Sequence, residues 1–230
     1  MSPCARESVM EIKVSGCAPR AASQRPCLRG QSLSSHRALA LPLAEWYFDI
    51  ETEGTDPQQD KILTVQYQPL DDGRPAGTFR VLAEWEWGEK QIVRSIVDKG
   101  LLEPTWDFVP VGNRLKFDIT FAMEKAEKYD LKKFTAEALR YYWFSKPIID
   151  LAPVLLMMNR GRFAGSSMSG FADKPSGSIV PGLYREGRFS EILGYVTREK
   201  DETLRVMQEV REMLEAYGDS RQGAAAKGEG

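Results

Sequence analysis

Trp46-Tyr47-Phe48-Asp49-Ile50-Glu51-Thr52-Glu53 is the stretch where an apolar run breaks off into acid. Read as a strand, its side chains alternate between two faces, so Asp49 and Glu51 project to the same side at the strand's end. Two like charges so placed repel each other. A cation between them relieves the repulsion, and hard carboxylate oxygens suit Mg2+ or Mn2+. An isolated Asp-x-Glu also describes a solvated strand end followed by an acidic turn, so its meaning depends on what the rest of the chain supplies.

The chain has 230 residues, 42% hydrophobic and 28% charged, enough to bury a sizeable core as one domain. No apolar run approaches the length of a membrane span, which predicts a soluble protein. Its three cysteines, Cys4, Cys17 and Cys27, lie in the first thirty residues and match no zinc spacing. A cysteine-free body suits a reducing, cytoplasmic setting. Residues 1–44 carry six Lys/Arg against two acids, leaving 25 basic and 31 acidic residues in the remainder. A polyanionic partner of this mildly acidic body must therefore be held by local basic patches and bridging metal ions rather than by the overall field.

Three regions follow from composition: a disordered basic extension over residues 1–42, a folded body over 43–217, and a Gly/Ala-rich flexible tail over 218–230. The extension's Arg and Ser also resemble a transit peptide, though without a clear amphipathic helix. It contains His36, the chain's single histidine. The body opens with the strand quoted above, an acidic turn at Gly54 and Pro57, and a second strand over 61–67. A third strand is expected over 78–87, with Phe79, Val81, Ala83, Trp85 and Trp87 on one face. Trp85 and Trp87 read either as stacking platforms for bases or as sheet-face packing.

A helix is expected over 89–102, with Gly100 near its end, then a short buried strand over 108–113. Asn113-Arg114-Leu115-Lys116-Phe117-Asp118 follows, with Asp118 opening the next helix; taken alone it reads as a cap. Another helix is expected over 131–142, with Lys132, Lys133, Arg140 and Lys146 near it, either a solvated face or a place for phosphates. A short strand over 147–151 contains Asp150, read as a cap or strand-end residue. Residues 159–188 are rich in Gly, Ser and Arg, a composition that suits a segment covering a polyanion or a plain connection. One long helix is expected over 189–217, burying Ile192, Leu193, Val196, Leu204, Met207, Val210 and Leu214. On it, Tyr195 and Glu199 stand four residues apart and share a face, so a phenol and a carboxylate can enter one cleft. Asp201, two residues beyond, points away from that face.

Asp49-Ile50-Glu51, Asn113-x-x-x-Phe117-Asp118 and Tyr195-x-x-x-Glu199, in this order, resemble the three motifs of the DEDD superfamily of 3'-5' exonucleases. The second motif looks most like that of the exonuclease domain of family B DNA polymerases and its stand-alone relatives. The resemblance spans residues 43–217 and implies an α/β fold of ribonuclease-H-like type, a mixed five-stranded sheet flanked by helices. Members place a histidine or a tyrosine before the last carboxylate, and with His36 far upstream only the tyrosine subtype fits, Tyr195 taking that role. One position departs from the pattern, which has Asp where this chain has Glu199. The extra methylene displaces the oxygens, which bears on Mg2+ with its strict octahedral demand more than on Mn2+.

What the resemblance implies is a two-metal phosphodiester hydrolase. Asp49, Glu51, Asp118 and Glu199 would hold two divalent ions, Mg2+ or Mn2+, and Tyr195 would orient the attacking water, since a phenol is a poor base at neutral pH. Thr52, Asn113 and Phe117 would contact substrate. The product would be a nucleoside 5'-monophosphate released from a single-stranded 3' end, DNA slightly favoured over RNA. An exoribonuclease of the same fold and a degenerate scaffold that binds nucleic acid or protein are the alternatives, and a replication or repair partner is left open.

Overall fold

A computed structural model describes residues 44–172 and 176–227; the expected basic extension lies outside them. The opening strand β1, Glu45–Thr52, pairs antiparallel with β2, Ile62–Asp71, in a register that sets Asp49 opposite Gln66 and Glu51 opposite Thr64. On its far side β1 runs parallel to β5, Val109–Gly112, which runs parallel to β6, Ile149–Asp150. Strand β4, Arg80–Ala83, pairs antiparallel with β2. The mixed sheet flanked by helices is therefore the expected class, with a two-residue strand β3, Arg74–Pro75, added on β2.

β1 is central, and both its faces are covered. Phe48 and Ile50 enter a core shared with α2, Glu89–Asp98, and α3, Leu115–Lys128. Tyr47, on the other face, enters a second core built from α5, Leu151–Met158, α6, Val180–Arg185, and α7, Phe189–Lys227. Burying a side chain such as Phe48 contributes about 1.5–3 kcal/mol, so the strand's alternation fixes which face carries the acids. Asp49 and Glu51 share the α7 side with Tyr47.

Several expected boundaries move. The third strand stops at Ala83 and residues 84–87 form a helical turn, α1, Glu84–Trp87, closed by Gly88 N–H donating to the Glu84 carbonyl at 2.7 Å. Trp85 and Trp87 therefore do not continue a strand face. Trp85 stacks on Phe189 with ring centroids 4.5 Å apart and planes 7° from parallel, which makes it an anchor for the start of α7. α2 ends at Asp98, before Gly100 in the left-handed region at φ 73°. α4, Ala136–Phe144, begins five residues later than expected because Thr135 caps it, accepting from Ala138 N–H at 3.1 Å.

α7 continues through Gly218 to Lys227 rather than ending at Tyr217; its Ala224-Ala225-Ala226 run has the highest helix propensity available. Leu214, expected on the buried side, is 63% exposed, because α7 has by then passed the end of β1 at Glu45. Between α5 and α6, residues 159–172 and 176–179 are irregular apart from two single-turn 3-10 helices, Met168–Gly170 and Gly177–Ile179. Among the described residues no helix is long and apolar enough to cross a membrane.

Candidate metal centre

Two spans of similar length bring the acids together. Arg211 on α7 grips Glu45 at the start of β1 with one guanidinium nitrogen 2.8 Å from both carboxylate oxygens. From Glu45 to Glu51 the strand advances about 20 Å at 3.3 Å per residue. From Arg211 back to Glu199 the helix covers about 18 Å at 1.5 Å per residue. Pinned at one end, the two elements therefore bring Glu199 to Glu51 at the other.

One oxygen each from Asp49, Glu51 and Glu199 lie within 4.8 Å of one another. Glu51 and Glu199 are buried and Asp49 is half-buried. Three hard anionic donors this close fit a divalent cation with an inward shift of under about 1 Å. The extra methylene of Glu199 does not take it out of the set, and Asp201, whose side chain is 63% exposed and pairs with Lys200 at 2.7 Å, does not compete for its place.

Asp118 stands outside that group of three. It lies in the first turn of α3, not at its cap: Arg114 takes the cap position in the left-handed conformation, and the helix starts at Leu115. A side chain at this fourth helical position is too far along to cap, and Asp118 is instead buried at 4% exposure. Asp49, Glu51, Asp118 and Tyr195 all act on the Tyr47 phenol, which burial above all, and these charges in addition, push well above its ordinary value. Asp118 is thus near enough for its charge to bear on the same phenol as the other acids.

Tyr195 enters the site as its spacing required. Burial first, then Glu51 and Asp49, raise its phenol far above 10, so it keeps its proton and can donate a hydrogen bond but cannot serve as a base. Asp150 is a cap: its Oδ1 accepts from Ala152 N–H at 2.9 Å and from Arg114 N–H at 2.8 Å, tying α5 to the turn that carries Asn113. Thr52 donates to the Gly54 carbonyl at 2.6 Å and closes the acidic turn. Asn113 is half-buried at the end of β5. Phe117 is 39% exposed and packs on Phe121 at 5.6 Å between centroids.

Two contributors were not read from the sequence. Tyr47 is two residues before Asp49, so the strand period alone could have placed it under the acids. Gly177 lies so close that a Cβ added there would stand 3.2 Å from the Tyr195 hydroxyl and 3.6 Å from a Glu51 oxygen. The stretch 176–180 thus packs onto the site, with Val180 fully buried behind it. Only the absence of a side chain at 177 hinted at this.

No family model and no curated protein matches the chain. Among solved structures it is similar to apo exonuclease I, at 13% identity and TM-score 0.38, over 50% of this chain and 30% of that one. It is also similar to E. coli exonuclease I in complex with a 5cy-dA13 oligonucleotide, at 14% identity and TM-score 0.38, over 53% and 31%. The matches thus span less than a third of those proteins.

Proposed function

We propose that the chain is a metal-dependent 3'-5' exonuclease acting on single-stranded ends, DNA before RNA. The observation that carries this is the convergence of Asp49, Glu51 and Glu199 within 4.8 Å, with the Tyr195 hydroxyl and Glu51 both against Gly177, in a chain whose motifs are ordered as in the DEDD exonucleases.

In this reading Asp49, Glu51 and Glu199, with Asp118 nearby, hold two divalent ions, Mg2+ or Mn2+. When bound, such ions make water more acidic and neutralise charge on the departing oxygen. The protein's own groups divide the remaining work. The carboxylates fix where positive charge sits, and Tyr195, always protonated, orients water by hydrogen bonding. The water oxygen bonds to phosphorus, the bond from phosphorus to the 3'-oxygen breaks, that oxygen takes a proton, and one nucleoside 5'-monophosphate leaves.

The test is digestion of 5'-labelled single-stranded DNA and RNA of one sequence with Mg2+ or Mn2+, comparing the wild type with Asp49→Ala. A metal-dependent ladder shortening from the 3' end, absent in the variant, is expected. No cleavage with either ion rules the reading out and leaves a binding scaffold; equal cleavage by the variant rules out a site built on Asp49.

A further inference from the structure

Beside Tyr195 a groove of about 640 Å3 runs between α6 and α7, within the size range of small-ligand sites. Gly182 and Gly194 are among its lining residues, and a Cβ added at either would meet nothing within 4 Å. Ile179 and Leu183 supply apolar surface, while Tyr195 and Arg198, three residues apart on α7, stand on one helix face.

Charge is distributed unevenly along it. Arg198 is exposed, and among the described residues no carboxylate pairs with it. Arg188, by contrast, is held by Glu186 at 2.8 Å and by Glu191 at 2.6 Å. The groove therefore presents one uncommitted cation next to Tyr195, and at its other end two acids that share one arginine.

We propose that this groove seats the terminal nucleoside of the strand, with Arg198 contacting the phosphate that joins it to the next. The proposal rests on the nuclease reading. A flat base needs a surface without projecting side chains, which the two glycines provide, and apolar contact, which Ile179 and Leu183 provide. One arginine suits one phosphate. Glu186 and Glu191 share Arg188 and leave one net negative charge at the far end, which disfavours a second phosphate there, so the groove takes a chain end rather than a strand passing through.

The test compares the wild type, Arg198→Ala, Arg198→Lys and Gly194→Leu in cleavage of single-stranded DNA with Mn2+. Arg198→Ala is expected to raise KM about tenfold or more, to lower kcat as well because the phosphate it contacts is the one that is cut, and to flatten the salt dependence of binding by about 0.7 in log–log slope, one phosphate contact on a single strand. Arg198→Lys should recover part of the loss. Gly194→Leu, which places a side chain in the groove on a helix that favours it, should raise KM while leaving metal-induced thermal stabilisation intact. Unchanged KM in both Arg198→Ala and Gly194→Leu overturns the proposal.

A second measurement separates its failure from failure of the nuclease reading: titration of a nucleoside 5'-monophosphate by calorimetry, which requires no turnover. Binding by the wild type that is lost in Gly194→Leu supports the groove even if no strand is cut. No binding by the wild type, or equal binding by Gly194→Leu, refutes it whether or not strands are cut.

Discussion

Three carboxylate oxygens within 4.8 Å of one another cost the fold something when no cation is bound, and Glu51→Gln reads that cost out. At an effective dielectric constant of about 20, two unit charges at this distance repel by roughly 3.5 kcal/mol. Glu51 takes part in two such pairs, but the full sum is never reached, because the cluster can bind a proton instead. From an ordinary glutamate value of about 4.3, that escape costs about 4 kcal/mol at neutral pH, and the half exposure of Asp49 to water lowers the repulsion further. Glu51→Gln is therefore expected to stabilise the ion-free protein by about 1–3 kcal/mol, or roughly 2–12 °C in Tm for a chain of this size. A divalent ion at a hundred times its Kd adds about 2.7 kcal/mol to the wild type, and Glu51→Gln should lose most of that. The assay is a thermal melt of both proteins in chelator and in graded Mn2+. A variant less stable than the wild type in chelator, or an equal rise in Tm with Mn2+ for both, would refute a cation site built on these three groups.

Four more outcomes follow from named contacts. Tyr195→Phe should lower kcat about 10–100-fold without changing metal-induced stabilisation; because burial and the two acids raise this phenol, the wild-type pH–rate profile should show no limb near pH 10 from it. Gly177→Ala, whose Cβ would press on the Tyr195 hydroxyl from 3.2 Å, should lower kcat in the same direction and Tm only slightly, as read by initial rates and a melt. Lys125 and Glu89 form a buried ion pair at 2.9 Å, and Glu89 also accepts from Ile62 N–H at 2.8 Å. Lys125→Met should therefore cost about 3–5 kcal/mol in urea unfolding, and Glu89→Gln in the same chain should restore part of it. Lys146 is pulled down to about 8 by burial, against the opposing pull of Asp107 and Glu103. Between that value and its unfolded value near 10.5 the unfolded chain binds more protons, so the wild type should gain stability relative to Lys146→Met as pH rises from 8 towards 10.

The parts of the site legible in the sequence were those set by local period. Strand alternation placed Asp49 with Glu51, and helical spacing placed Tyr195 with Glu199 and turned Asp201 away. What period could not supply was the partner across space. The Arg211–Glu45 pair joins residues 166 positions apart, and no local rule matches one acid at a strand's start to one base late on a helix. Asp118 shows the opposite error. Acid near a helix start suggests a cap, yet a left-handed Arg114 opens α3 three residues earlier than the pattern suggested, so Asp118 is carried inward. The strand expected through Trp87 failed for a related reason: its alternation was genuine, but Gly88 at φ 73° closes a helical turn that tertiary stacking of Trp85 on Phe189 then holds.

The fold also bears on why a glutamate can stand at position 199. The distance between β1 and α7 is set by large groups packed along their shared length, with Tyr47, Val196, Val206 and Val210 buried in one core, and by the Arg211 clamp at one end. None of these contacts depends on Glu199, so the helix does not move to suit the side chain. The side chain must reach the strand instead. A carboxylate on α7 reaches Asp49 and Glu51 only if its arm spans the remaining gap, and with glutamate the three oxygens already come within 4.8 Å. Shortening the arm by one methylene would draw one donor back by roughly an ångström, about half of a metal–oxygen bond near 2.1 Å. On the nuclease reading, glutamate at 199 is therefore matched to the helix position this core imposes, its carboxylate joining α7 to the strand's acids.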